Sequence, residues 1–269
     1  MKRRDRARNR SREVEEFIGD TDNMNRVKRA VILAAGTGVR MDPLTRRVPK
    51  SLIEVNGKRM IETVIEGLVR NKIFEIYVVV GYKKEAFSYL PAKYPGLILI
   101  ENPDYGRTNN ISSLYAARDH LENVMILDAD QIIRDPSVLR ASFTRSGYNG
   151  VWTQEHTDEW LMQVDESGIV TSCSRTGGER GWQLYSISRW SAEDGQKLRA
   201  LVELEYEENG RTDVYWDDVP MFLHPDQFEL SVRPMKPGSV TEIDSLEELA
   251  REDHKYIDVL RQNRKGMQG

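Results

Sequence analysis

Cysteine is almost absent from this 269-residue chain, where Cys173 stands alone. A single thiol closes no internal disulfide and builds no multi-cysteine metal site, and such sparing use fits a reducing, cytoplasmic setting. Cys173 itself reads as a small filler within a strand. Long apolar runs are missing too. None approaches the ~20 residues needed to cross a bilayer, so no membrane span is expected. The basic N-terminal head has no apolar segment behind it and does not read as a secretory signal. Internal repeats and low-complexity linkers are also lacking. Although ~150 residues per domain would allow two domains, this favours one compact domain with an appended region.

Charge is unevenly placed. Residues 1–12 carry seven basic residues against Asp5, a net of +6, while the whole chain is at −4, which leaves −10 for the remainder. An acidic body argues against nucleic acid as the main partner, because phosphate contacts need clustered Lys and Arg. Residues 1–26 are therefore expected to be a solvated basic tail. A contact between that tail and nucleic acid or an acidic partner is the alternative. The domain is expected over 27–260, with a nucleotide-binding half (27–150), an acceptor-binding half (151–260) and a flexible C-terminus at 261–269. Oligomeric state is not legible.

Hydrophobic pattern supplies the elements. RAVIL (29–33), EIYVVV (75–80), the run 97–100 and VMIL (124–127) read as buried strands. Helical spacing appears over 59–71, and helices are predicted over 83–94 and 111–121. Strands alternating with helices predict an α/β fold with a doubly wound, mostly parallel mixed sheet. The second half changes character. Residues 151–174 read as two strands around a turn near 165–168, which gives a small, partly antiparallel region. A helix over 191–208, a strand over 228–232 and a long helix over 245–260 complete it.

Two groups of residues carry chemistry. The first strand runs into LAAGTGVRM (33–41), and Pro49-Lys50 follow. Small residues after a strand let backbone N–H groups approach a phosphate, and Gly36 and Gly38 can take positive φ. Arg40 and Lys50 add positive charge. The loop is neither a Walker A sequence nor a G-x-G-x-x-G. The second group is acidic. Asp128-Ala129-Asp130 follows a buried strand, where ligands of open α/β sheets bind. Glu242-Ile243-Asp244 repeats the alternation, although Asp244 is equally placed to cap the next helix. Two such clusters suit a hard divalent ion such as Mg²⁺, which takes one or two carboxylates plus triphosphate oxygens.

LAAGTGVRM, Pro43-Leu44-Thr45, Val48-Pro49-Lys50-Ser51-Leu52 and Val55-Asn56-Gly57-Lys58 together resemble the motif of nucleotidyltransferases that make sugar nucleotides and related compounds. The similarity is greatest to the bacterial choline-phosphate cytidylyltransferases. It is carried by Val80-Gly81-Tyr82-Lys83-Lys84-Glu85, Asn109-Asn110, Ser113-Leu114-Tyr115, Thr144-Arg145-Ser146, Asp158-Glu159-Trp160, Asp213-Val214-Tyr215-Trp216-Asp217 and Thr241-Glu242-Ile243-Asp244-Ser245. The resemblance implies a Rossmann-like nucleotidyltransferase fold whose loop wraps a nucleoside triphosphate. Arg40 and Lys50 would lie on its phosphates, and Lys50, Arg40 and Asp130 would be catalytic. It further implies Mg²⁺ ligation by Asp130 and Asp244, with Asp128 and Glu242 as second choices. The expected nucleotide site comprises Leu33, Ala34, Ala35, Gly36, Thr37, Gly38, Arg40, Lys50, Gly81, Tyr82, Asn110, Ser113 and Asp128.

For the acceptor, chemistry and resemblance agree. A quaternary ammonium is held by aromatic faces and a nearby carboxylate. All five tryptophans lie in the second half of the chain. Trp160, Tyr215 and Asp217 are the expected pocket, with Trp182 and Trp216 as weaker members, while Trp152 and Trp190 are left to packing. The implied reaction condenses CTP with phosphocholine, giving CDP-choline and pyrophosphate. A primary ammonium, as in 2-aminoethylphosphonate or phosphoethanolamine, is the alternative, because Asp217 and Asp218 stand side by side. A sugar-1-phosphate acceptor is disfavoured. A non-catalytic nucleotide-sensing module would have lost a loop cation or an acidic ligand, and none is missing.

Overall fold

The structure is a computed structural model that describes residues 24–266. The basic head at 1–23 lies outside the described residues. The expected tail reached residue 26, but Asn25–Arg26 already pair antiparallel with Ser142–Phe143.

Four parallel strands form the centre of a nine-stranded sheet: β1 (Arg29–Ala34), β2 (Glu75–Val80), β3 (Leu97–Glu101) and β4 (Val124–Asp128). β1 lies between β2 and β4, and β3 forms the outer edge beyond β2. Alternation assigns the side chains of each strand to two faces. Ala30, Ile32, Ile76 and Val78 pack with helix α1 (Met60–Arg70) on one face. Val31, Leu33, Tyr77 and Val79 pack on the other with the helices at Ile111–Ala116 and Ala192–Glu203. Burial on both faces is why these strands read as continuous apolar runs.

A short ribbon leaves the top of β4. Its strand β5 (Gln131–Ile133) lies just past Asp130. The second half then adds β6 (Gly147–Thr153), β7 (Leu161–Val164), β8 (Val170–Ser174), β9 (Gly181–Trp190) and β10 (Ser231–Pro234) to the main sheet. β9 is the hinge of the architecture, running antiparallel to β4 at one end and to β6 and β7 along its length. No strand is predicted there from sequence. Its polar Gln183, Ser186, Ser188 and Arg189 break the apolar alternation, and the register against β6 shifts at Tyr148/Asn149. Buried Arg189 is tolerated because it donates to the Arg140 and Val138 carbonyls and to Asn149 Oδ1. Strand β11 (Val240–Glu242) returns to pair with β5, setting Glu242 opposite Gln131.

Several predicted helices are shorter than expected. The stretch 83–94 holds a 3₁₀ turn at Lys84–Phe87 and a short helix, α2 (Leu90–Lys93), with Pro91 in its first turn. Lys83 adopts φ 50°, which breaks continuity between β2 and that turn. Helix α3 spans Ile111–Ala116, whereas α4 (Ala192–Glu203) continues as a π-helical turn over Leu204–Glu208 and so fills the stretch predicted at 191–208. The helix predicted over 245–260 is two helices, α5 (Leu246–Glu252) and α6 (Ile257–Gly266). Extended Asp253 ends the first, and its side chain accepts the Lys255 N–H to open a 3₁₀ turn. Residues 261–266 continue α6, where a flexible end was expected. No helix of the described residues is long and apolar enough to cross a membrane.

Candidate active site

The loop after β1 borders a cavity of about 330 Å³ at the carboxyl ends of β1 and β4. Leu33, Ala34, Ala35, Gly36, Thr37, Gly38, Arg40, Lys50, Asn110, Ser113, Asp128, Asp130 and Asp244 all line it. The two glycines serve differently. Gly38 takes φ 63°, and a Cβ there would lie 2.8 Å from Lys50 Cβ. It lets the chain turn and lets Lys50 come in. Gly36 does not adopt positive φ among the described glycines, and a Cβ there would meet nothing within 4 Å. Its missing side chain leaves open space on the cavity side.

Gly81 and Tyr82 sit behind the loop instead of in the cavity. Gly81 is required by the Tyr105 ring, which a Cβ would approach to 2.6 Å. Tyr82 donates its N–H to the Ala35 carbonyl and its hydroxyl to the Thr45 carbonyl. Their part is to brace the loop. Asn109 and Asn110 do not cap α3 with their side chains. Asn110 Oδ1 accepts the Trp216 N–H at 2.8 Å, and Asn109 Nδ2 donates to the Asp213 carbonyl. These contacts tie the 212–216 segment to the cavity wall. Ser113 accepts from Asn102 Nδ2 at 3.0 Å, within a buried polar network.

Lys50 is the centre of the site. Its buried ammonium donates to Asp130 Oδ2 at 2.5 Å and to Asp244 Oδ1 at 2.6 Å. Burial works to pull the Lys50 pKa down, but the two carboxylates outweigh it and the net shift is upward. Arg40 reaches Asp244 Oδ1 from the open side at 2.9 Å. Asp244 is available because it is not the helix cap. Ser245 caps α5 in a reciprocal box with Glu248, and Glu248 also takes the Asp244 N–H.

Behind Lys50, ligand atoms of Asp128, Asp130 and Glu242 lie within 4.8 Å of one another. Burial, with Asp130 beside it, pushes the Asp128 carboxyl up to about 7. Glu242 is raised well above its ordinary value by the same two causes. Asp130 Oδ1 is buried without a hydrogen-bond partner. Three crowded carboxyls, one with an orphaned oxygen, fit a hard divalent cation. Asp130 also shares the Lys50 cation with Asp244, so this pair already presents oxygens to a single positive centre.

The acceptor residues divide. Trp160 stands edge-on to Tyr215 (ring centroids 6.0 Å apart) and to Phe222 (5.3 Å). Half-exposed Tyr215 also lines the nucleotide cavity, so the aromatic recess adjoins it. Arg175, just past β8, lies over the Phe222 ring at 3.6 Å and binds Asp218 Oδ1 through Nε (2.8 Å) and Nη2 (2.5 Å). Sequence reasoning missed Phe222, which follows the 213–217 motif by one turn of π-helix, and Arg175, which carries no motif and reaches the recess from the end of β8.

Trp216 is a correction. It is 2% exposed and packs against Tyr148 and Trp190, so it is core. Trp182 meets Trp152 edge-on across the β6–β9 pair and packs against the apolar core of that face. Asp217 is 7% exposed, and burial, with Asp128 nearby, raises its carboxyl well above the usual range. That makes it a poor anion for a bound cation. Cys173, half-buried in β8, has its thiol pushed up to about 12 by burial and is inert as a nucleophile.

The fold and this site define a nucleotidyltransferase. The MobA-like NTP transferase domain matches residues 30–212. The 2-aminoethylphosphonate cytidylyltransferase of Lancefieldella rimae is 42% identical over 234 residues, which cover 86% of this chain and 94% of that protein. The choline-phosphate cytidylyltransferase of Streptococcus pneumoniae is 34% identical over 220 residues, covering 82% and 94%. The solved structure of the S. pneumoniae CTP:phosphocholine cytidylyltransferase superposes with a TM-score of 0.79 at 34% identity, covering 86% of this chain and 99% of the other. The inositol-1-phosphate CTP transferase of T. maritima shares the fold, with a TM-score of 0.67 at 16% identity, covering 84% and 92%. The chain belongs to the MobA-like NTP transferase family, among its cytidylyltransferases.

Proposed function

We propose that the chain transfers cytidylate from CTP to a phosphonate or phosphate that carries an amine, with 2-aminoethylphosphonate as the preferred acceptor. The observation that carries this is the recess of Trp160, Tyr215, Phe222 and Asp218 beside the nucleotide cavity, where a side-chain cation already sits. Such a site suits a cationic head. The relative at 42% identity supports the aminoethylphosphonate reading. Phosphocholine is the second reading, favoured by the aromatic faces of Trp160 and Tyr215.

In the proposed reaction an acceptor oxygen attacks the α-phosphorus of CTP in line. The bond from that phosphorus to the bridging oxygen breaks, and pyrophosphate leaves with the electron pair. No protein nucleophile is needed. Gly36 and Gly38 admit the triphosphate to the backbone, and Lys50 and Arg40 neutralise charge gathering on the leaving group. Asp130 and Asp244, with Asp128 and Glu242 behind them, are the proposed Mg²⁺ ligands. A bound Mg²⁺ would supply charge neutralisation and orientation of phosphate oxygens.

The test is pyrophosphate release from four nucleoside triphosphates, each offered 2-aminoethylphosphonate, phosphoethanolamine, phosphocholine and a sugar 1-phosphate. The expected result is CTP-dependent release, with the highest kcat/KM for 2-aminoethylphosphonate. Preference for phosphocholine would replace the first acceptor by the second, and turnover only with sugar phosphates would remove both.

A further inference from the structure

We propose that Arg175 is a resident surrogate for the acceptor's cation, and that the acceptor ammonium takes its place on Asp218, not on the neighbouring Asp217. The inference deepens the function proposed above and rests on an amine-bearing acceptor.

The geometry of Arg175 is that of a bound ligand. Its guanidinium lies 3.6 Å from the Phe222 centroid and 5.9 Å from that of Trp160. Two of its N–H groups donate to one oxygen, Asp218 Oδ1. The second oxygen, Oδ2, accepts the Tyr215 N–H at 2.9 Å. The Asp218 side chain is only 6% exposed, whereas that of Arg175 is 48% exposed. The anion is therefore fixed and buried, while the cation covers it from the solvent side. Asp217 is buried between Tyr148 and Asp128, makes no ion pair among the described residues and leaves Oδ1 without a hydrogen-bond partner.

Arg175 is also placed to leave. It lies one residue beyond β8, in a connection to β9 that is held by paired backbone bonds between Gly178 and Thr157, so its side chain alone has to swing away. Among the described residues its one polar partner is Asp218. On release, the guanidinium would be rehydrated by the water that already reaches half of it.

Asp218 then sets what replaces it. A buried carboxylate that loses its donors is costly to leave bare. A primary ammonium brings three N–H donors and restores the bonds to Oδ1, whereas a trimethylammonium brings none. The aromatic faces attract both. Arg175 therefore competes with every cationic acceptor alike, and Asp218 discriminates among them. If Arg175 covers Asp218 in about nine molecules of ten, the apparent acceptor affinity is about tenfold below its intrinsic value.

The test uses the full chain at saturating CTP, comparing wild type with Arg175→Met, Arg175→Lys and Asp218→Asn. Acceptor and CTP KM values and thermal stability are measured for each. Arg175→Met should lower the KM for 2-aminoethylphosphonate and for phosphocholine by a similar factor, about tenfold, with little change in the KM for CTP. Arg175→Lys should restore most of the wild-type value. Asp218→Asn should raise the KM for 2-aminoethylphosphonate more than that for phosphocholine. Should Arg175→Met fail to fold, Arg175→Gln retains a donor to Asp218 without the charge and should still lower both values several-fold. An unchanged or raised acceptor KM in a folded Arg175 variant would show a plain structural ion pair and overturn the surrogate. The same change in acceptor preference from Asp217→Asn, with Asp218→Asn silent, would overturn the choice of aspartate. If wild type turns over CTP with no amine at all, the acceptor assignment falls first and the surrogate with it. Turnover with amines but no Arg175 effect removes the surrogate alone.

Discussion

The nucleotide side and the acceptor side of this site are built on opposite plans. The first is one continuous loop, from Leu33 to Lys50, hung on the carboxyl end of a buried parallel strand. The second is assembled from single residues at 160, 175, 215, 218 and 222, carried by the connections that follow β6 and β8 and by the irregular segment between α4 and β10. A loop that must wrap a triphosphate has little freedom to vary, because backbone approach dictates glycine and charge dictates cations. An acceptor recess meets only a small head group and can be composed in many ways. The difference predicts that nucleotide-side substitutions act on kcat, whereas acceptor-side ones act on a single KM.

The comparison breaks most visibly at Asp130, which belongs both to the carboxyl trio and to the Lys50 pair. Asp130→Ala should reduce kcat by about a thousandfold with the fold retained, as read from pyrophosphate release and circular dichroism. Near-normal turnover would remove it from the site. Trp216 sharpens the other side. As a core residue it should lose about 3 kcal/mol of stability on Trp216→Ala, measured by denaturant unfolding, without a selective change in acceptor preference. Lys50→Ala should lower kcat by about a hundredfold and weaken CTP binding by less, because its charge matters most as pyrophosphate departs. A pure KM effect in steady-state kinetics would make Lys50 a binding residue only. Trp160→Ala should raise the acceptor KM by about tenfold and leave the KM for CTP unaltered. Tyr215→Phe is the mildest, within about twofold, since the ring face and not the hydroxyl meets the cation.

The same contrast explains what the sequence disclosed. Gly38, Arg40 and Lys50 were legible because they belong to one contiguous motif, although the carboxylates that Arg40 and Lys50 meet come from distant segments. Asp130 and Asp244 were legible as acidic residues after strands, but their meeting through Lys50 depends on the β5–β11 ribbon, which joins segments about a hundred residues apart. Motif position favoured Asp217 over Asp218, and nothing else in the sequence separates the two. Adjacent residues on an irregular segment point in different directions, and only the fold shows that one is buried beside Tyr148 while the other meets Arg175. Trp216 misled for a similar reason, since an aromatic next to acids has the same composition whether it faces ligand or core. Strand β9 was missed because a central antiparallel strand with polar ladder residues carries neither a period-two nor a continuous apolar pattern.

The C-terminal helices have a consequence of their own. Ile243, Leu246 and Leu249 share a small apolar cluster with Met41, Ile53 and Met60, apart from the two cores that flank the main sheet. This cluster is the local floor on which the phosphate loop and Asp244 both stand. Smaller than either of those cores, it is expected to open while the parallel strands remain closed. Mild heat or a protease acting on α5 and α6 would then silence the enzyme without unfolding it, and amide exchange in the 39–60 segment would quicken in step with that at 243–260.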